Sequence, residues 1–475
     1  GGSLTFNGAI GATTKLPTLV INDAAGSGTG VDITLPVFGA GGNGGTTGNV
    51  TIGNATGGGH ITFSGSGANA FNIDGKLTLD SVGGADSFKF SNDATITADG
   101  GIEMLNGGIL LTDTKDLTLA ATDSDITVVS VTGVAGGHGE DFTITDIGTG
   151  TATVGAIGTD INDVKIVATT IKLQGNITTE LDPNGNNADD AASIDFDGAV
   201  VVDAAVTLDT GNGTIDFSST LDSTADAGNN LTIDSGSGTT TFNGAIGTAT
   251  SGSGTKGALG VLSVNTGADG DATDETGTIT FATNADIGTD TAAGAARILV
   301  GNTSTGTLAI DGSFYTSSGG DGTDAAQIYT ANAFTMGGTD PDFNSLGAAA
   351  AINFVDGATS DIVLANTADL TIQTNNGTID IEPQIIGTNT GGGDTTNTTV
   401  TLNASGSSLG AGAVITLDNP GGAVIGTDIG AVGLTASTIN LSNDIETDAE
   451  NITISGAVVL TQATADYTVI VTTGT

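Results

Sequence analysis

Apolar residues recur at every second position in short runs along the chain: Val50 and Ile52 in NVTIG, Ile61 and Phe63 in HITFS, Phe71 and Ile73 in FNID, Leu77 and Leu79 in KLTLD, Phe88 and Phe90 in SFKFS. Thr, Asp, Asn or Lys stands between them, so each run has one apolar and one polar face, the pattern of a strand buried on one side. The runs start about ten residues apart, and Gly, Asn, Asp and Ser, which turn the chain, fill the intervals. The same grammar returns in SIDFDG (Ser193 to Gly198), TIDFSS (Thr214 to Ser219), LTIDSG (Leu231 to Gly236), TLAIDG (Thr307 to Gly312), ADLTIQTNNGTIDIEP (Ala368 to Pro383) and NITISGAVVL (Asn451 to Leu460). No helical period of useful length competes, and the chain is expected to be all-β.

Regular short strands build either a string of sandwiches or a parallel β-helix. A sandwich centres on large aromatics and favours two-residue Asn-Gly or Asp-Gly hairpins. Here Trp is absent, aromatics are 4% of the chain, and the corners vary in length. A β-helix needs only a thin core, because coils of roughly 20 to 25 residues stack at about 4.8 Å. The expected fold is therefore a parallel β-helix, or β-solenoid, with insertions at its corners.

Two internal repeats support a long array. The heptapeptide TFNGAIG occurs at Thr5 to Gly11 and again at Thr241 to Gly247, an offset of 236 (241 − 5) in 475 residues. ATTIKLQGNITTE (Ala168 to Glu180) aligns with ASTINLSNDIETD (Ala436 to Asp448), and IDFDGAVV (Ile194 to Val201) with ITISGAVV (Ile452 to Val459). The offset falls from 268 (436 − 168) to 258 (452 − 194), which assigns ten extra residues to a corner loop around Leu181 to Ala192. Other expected loops are Gly26 to Gly48, Thr248 to Gly257, Thr266 to Gly277 and Thr316 to Ala325. The repeat divides the chain into halves 1–236 and 237–475 of one continuous solenoid. Its C-terminal VIVTTGT followed by the N-terminal GGSLTFNGAIG would read like Leu231 to Gly247, so the ends look like halves of one seam, with no distinct cap at either.

Composition narrows the function. Asp and Glu number 53 against 8 Lys plus Arg, a formal charge of −45, which excludes a basic surface for nucleic acid or anionic lipid. The absence of Cys removes disulfides and thiolate metal sites. No run approaches the roughly 18 apolar residues of a membrane helix, and no membrane insertion is expected. The chain starts at Gly1 with no leader pattern, so it is expected to be mature or excised.

The succession GNITT, GAV, V-T-L, then LTID and TFNGAIG resembles repeats of large bacterial exoproteins of the filamentous-haemagglutinin and autotransporter-adhesin type. The resemblance is best over Ala168 to Gly247, and next over Thr438 to Thr475 with Gly1 to Ile21. It implies a right-handed coil, a place outside the cell or on a bacterial surface, and a role as adhesin or fibre.

Hard-oxygen loops are the candidate chemistry. DPNGNNADD offers Asp182, Asn184, Asn186, Asp189 and Asp190, and DGDATDE offers Asp269, Asp271, Asp274 and Glu275. Oxygen ligands on a loop suit Ca²⁺, the one cofactor suggested, although a solvated acidic loop is the plainer reading. GGHGED (Gly136 to Asp141) and GGDGTD (Gly319 to Asp324) match the first six positions of a calcium-binding nonapeptide, but stand 183 residues apart (319 − 136), too far to share an ion. His60 and His138, the only histidines, read as surface-loop residues, and no GxSxG elbow is present. Two-carboxylate glycoside hydrolysis would need sugar platforms, and Tyr315, Tyr329 and Tyr467 are the only tyrosines. No catalytic residue is assigned. Asn-x-Ser/Thr tripeptides at Asn49, Asn54, Asn176, Asn230, Asn397 and Asn451 read as corner residues available for hydrogen-bonded ladders.

The resulting expectation is an extracellular structural protein that stacks head to tail into a fibre. Its self-assembly residues are Leu4, Phe6 and Ile10 at one end and Tyr467, Val469 and Val471 at the other. A cell-surface or matrix polysaccharide is a second partner class. The alternatives are a segment of a giant adhesin and a calcium-dependent surface-layer protein.

Overall fold

The computed structural model describes all residues except 1–2, 12, 22–31, 40–47, 55–59, 82–86, 135–138, 146–147, 159, 180–191, 225–227, 249–256, 268–274, 291, 318–326, 339, 358–360, 389–397, 407–412, 420–422, 427, 449–450, 462–468 and 473–475. Among the described residues there is no helix, and strands of two to thirteen residues follow one another throughout. The chain forms two compact units, Gly1–Ser219 and Thr220–Thr475. The sequence repeat would divide it at 236/237.

Each unit is a solenoid-like stack of parallel strands. In the first, Val50–Asn54 carries Leu19–Ile21 on one edge and Leu77–Ser81 on the other, with Leu19↔Val50 and Val50↔Leu77 in register. The column continues through Ile102, Ile126, Ala152, Ile171 and Val200. In the second unit a similar column runs Leu370↔Val400↔Val432↔Ile452. The short pair Gly288–Thr289 with Ala292–Ala293 is antiparallel. The step between stacked residues is as short as 19 at Ala152↔Ile171 (171 − 152) and as long as 41 at Ile246↔Ile287 (287 − 246), a wider range than 20 to 25. Corners can absorb such length because loop closure grows only slowly more costly with residue number.

The alternation in sequence becomes an inside and an outside. Leu77–Ser81, Ala94–Ala98 and Leu370–Asn375 each bury every second side chain. Equivalent positions on successive coils then lie one above the other, so a modest set of apolar types fills the interior. Phenylalanines stack in this way: Phe63 on Phe90 with ring centroids 4.6 Å apart, and Phe242 on Phe281 at 4.7 Å. Phe281 continues to Phe314, and Phe314 to Phe343. The scarcity of aromatics in the sequence is thus offset by columnar placement.

Polar groups enter the core with their partners, as at Gln327. Gln327, wholly buried, donates from Nε2 to Thr316 Oγ1 and to the Asn344 carbonyl, each at 3.0 Å, and accepts from the Tyr329 hydroxyl at 3.0 Å. Burial holds the Tyr329 hydroxyl well above its ordinary pKa, so it remains a donor.

The second sequence repeat is also a structural one. Strand Val164–Leu173 pairs with Ile194–Val202 with a register shift between Val167 and Thr170, and Ile429–Leu441 pairs with Ile452–Leu460 with the same shift between Thr435 and Thr438. The extra residues press a carbonyl toward the partner strand, and only Gly fits opposite. A Cβ on Gly198 would lie 1.7 Å from the Ala168 oxygen, and one on Gly456 2.0 Å from the Ala436 oxygen.

Candidate functional site

Of the expected metal ligands, Asp182, Asn184, Asn186, Asp189, Asp190, Asp269, Asp271 and Asp274 lie outside the described residues. Glu275 is described, wholly buried, and accepts a hydrogen bond from the Asn302 side chain. Its carboxylate is therefore part of an internal polar contact rather than an open loop. Of the two nonapeptide-like segments, Gly319 to Asp324 lies outside the described residues and Gly139 to Asp141 inside. Asp141 turns to its neighbours, accepting from Asn162 Nδ2 and the Asp163 amide, each at 3.2 Å. Among the described residues no group of three or more His, Asp or Glu could hold a metal ion. His60 is exposed, with its amide 3.4 Å from Asp32 Oδ1, and His138 lies outside the described residues. Tyr315 and Tyr329 are buried in the second unit and present no ring for a sugar, and Tyr467 is outside the described residues.

The corners reveal a use for acidic residues that the sequence did not disclose. Asp93 accepts from the Asp116 amide, Asp116 from Asp141, Asp141 from Asp163, and Asp163 from Ser193 at 2.7 Å. Each carboxylate thus satisfies a backbone donor one coil further on, where the chain turns and the sheet ladder is interrupted. Asn49, Asn176 and Asn230 do the same for Lys76, Thr207 and Val261 at 2.9–3.0 Å. These three Asn side chains bond backbone amides of the next coil, a role they share with Asp, and Asn397 lies outside the described residues. Stacking has an electrostatic cost: burial, then the charges of Asp163 and Asp116, raise the Asp141 carboxyl above its ordinary value despite the hydrogen bonds that oppose the shift. Lysines temper it on the outer face, as in Lys76 with Glu103 at 2.8 Å and Lys172 with Asp203 at 3.3 Å.

The terminal strands form the other candidate site, because the repeats supply their own controls. In the internal heptapeptide, Phe242 and Ile246 are wholly buried, and Ile246 bridges Leu221 on one side and Ile287 on the other. The Ala245 carbonyl accepts from Leu221 N at 3.0 Å and Gly247 N donates to the Leu221 carbonyl at 2.8 Å. The N-terminal copy folds alike, with φ of 69° at Gly11 against 66° at Gly247. Ile10 bridges Phe38, yet among the described residues nothing pairs with its other side, and Phe6 and Ile10 are half-buried. Strand Ser3–Thr5 pairs only with Asp32–Leu35 among the described strands, and Leu4 is 47% exposed.

The other end repeats the contrast. Ile194 and Phe196 are covered by Ile215 and Phe217, and Val200 and Val202 are wholly buried. Their counterparts in Ile452–Leu460 pair with Ile429–Leu441 alone among the described strands, leaving Val458 44% and Leu460 53% exposed. Of the expected self-assembly residues, Leu4 lies in strand Ser3–Thr5, and Phe6 and Ile10 follow it. Val469 and Val471 belong to strand Val469–Thr472, which pairs with Ile445–Asp448, and Tyr467 is outside the described residues. Val20, Val458, Val459 and Leu460 are further exposed apolar residues that sequence reasoning missed. The alignment of Val458 and Val459 with Val200 and Val201 was visible in the sequence, but not which copy would be covered. Comparison with protein-family models, with curated proteins and with solved structures gave no match.

Proposed function

We propose that this chain is an extracellular structural protein, a right-handed parallel β-helix whose end coils stack head to tail on further copies to give a surface fibre. The observation that supports the reading is the solenoid-like stack of parallel strands, in which Ser3–Thr5 and Ile452–Leu460 each pair with one strand among the described strands and Leu4, Val458 and Leu460 are exposed. An open parallel edge with apolar side chains beside it favours addition of another strand. The two edges differ, one preceding and one following its covered neighbour in the chain, so their contact is heterologous and extends rather than closing on a two-fold axis. Right-handedness rests on the strong preference of parallel strand connections for that hand. The place outside the cell rests on the resemblance to exoprotein repeats. We assign no catalytic step, and divalent cations act here by screening a charge of −45.

Electron microscopy of the purified chain, with millimolar Ca²⁺ and with a chelator, tests this. Unbranched filaments giving a meridional spacing of about 4.8 Å are expected. Isolated particles in both conditions contradict end-to-end stacking and leave the giant-adhesin segment as the better account. Two-dimensional lattices favour the surface-layer reading.

A further inference from the structure

Each unit carries a pair of hydroxyls inside its stack: Thr179 and Thr210 in the first, Ser345 and Thr374 in the second. All four residues are at most 3% exposed, and none of the four side-chain oxygens has a hydrogen-bond partner among the described residues. A buried hydroxyl left unpaired is costly, and native interiors satisfy such groups with protein or with ordered water. The members of each pair are neighbours on successive coils. Ser345 and Thr374 are in register, while Thr179 and Thr210 follow the registered pair Thr178↔Asp209, the Thr179 amide donating to the Asp209 carbonyl at 2.9 Å. Like positions one coil apart are separated by about 4.8 Å, too far for a direct O–H···O bond of about 2.8 Å. One molecule placed about 2.8 Å from both oxygens closes that span at an angle close to the tetrahedral one. We infer that each pair binds one ordered water, which bridges Thr179 Oγ1 to Thr210 Oγ1 and Ser345 Oγ to Thr374 Oγ1.

The second unit shows why these hydroxyls need water when a neighbour does not. Thr316 stands next to Ser345 in the same column and is wholly buried, but its Oγ1 accepts from Gln327 Nε2 at 3.0 Å. Gln327 is in register with Ile352, and Ile352 with Ile379. The position that supplies an amide beside Thr316 is therefore isoleucine on the next two coils, where Ser345 and Thr374 stand. Ser345 also lacks the methyl group that Thr316 and Thr374 carry on either side of it, and a space of that order is what a single water requires. The chemistry selects water over other small occupants. A hydroxyl both donates and accepts, as water does, whereas an ion held in an apolar interior by neutral hydroxyls alone would lose most of its solvation.

A crystal structure of the full chain that resolves ordered solvent should show a density peak about 2.8 Å from both oxygens of each pair. Urea unfolding of substituted proteins reads the same contact independently. Thr179→Val or Thr210→Val alone takes one partner from the water and lowers the midpoint. The two together replace both hydroxyls by an apolar group of the same shape and recover most of the loss, a coupling of roughly fivefold or more in the unfolding equilibrium constant. Ser345→Ala and Thr374→Val are expected to behave alike. Hydroxyls that touch directly, with no peak between them, overturn the inference even if the substitutions are coupled. Additive effects in which each single substitution raises the midpoint identify dry, unpaired hydroxyls and overturn it as well.

Discussion

A carboxylate in this protein is placed where a turning backbone needs an acceptor, and the repetition of that placement brings like charges together. Asp141 shows both sides, since its oxygen receives the Asp163 amide while its charge faces those of Asp116 and Asp163. Asp141→Asn keeps the acceptor and removes the repulsion, and is expected to leave stability at pH 7 equal or raised, within about 1 kcal/mol. Asp141→Ala orphans the Asp163 amide and should cost about 1 kcal/mol, read as a lower urea midpoint. The pH dependence is set by direction alone. Burial raises the carboxyls of Asp141, Asp342, Asp361 and Asp380 above the ordinary 3.8, helped by neighbouring acids in each case. Between 3.8 and the raised values the folded chain holds more protons than the unfolded one. Their contribution is therefore fully present below 3.8 and is lost as pH rises through the raised values. Thermal unfolding at low salt should show a higher midpoint near pH 3.8 than at pH 7, and Asp141→Asn should reduce the difference; a midpoint that rises between them contradicts the account.

At the scale of the element, the strand is specified by its alternation and its neighbours by shape. Phe281 stands between Phe242 and Phe314, wholly buried, so Phe281→Ala opens a void in a column that cannot collapse from either side. A loss of about 3–5 kcal/mol is expected in chemical denaturation of the second unit. Gly198→Ala sets a methyl against the Ala168 oxygen and should cost about 1–3 kcal/mol, whereas most exposed substitutions lie within about 0.5 kcal/mol. The inward and outward positions of these strands were legible in the sequence, because period-two alternation has one reading. The register shift opposite Gly198 was not, since it arises where two strands of unequal length share an edge.

For the molecule as a whole, exposed apolar strand edges favour association while a charge of −45 opposes it. Raising NaCl from about 10 to about 150 mM shortens the screening length from about 30 to about 8 Å, so assembly monitored by light scattering should accelerate. Slower assembly in salt would contradict the balance. Val458→Asp and Leu460→Asp place charge on the bare edge and should abolish filaments without changing the thermal midpoint by more than about 3 °C.

The sequence by itself determined that this chain is all-β, with short strands, corner residues and two internal repeats, because alternation and turn chemistry are local properties of neighbouring residues. Only the tertiary structure decided that Glu275 is buried against Asn302, that Asp carboxylates cap the amides of the next coil, and that Val200 is covered while Val458 is bare. Each of these depends on which residues, twenty or thirty positions apart, come to lie at the same place on successive coils. That spacing is set by corners of unequal length, and no local pattern encodes it.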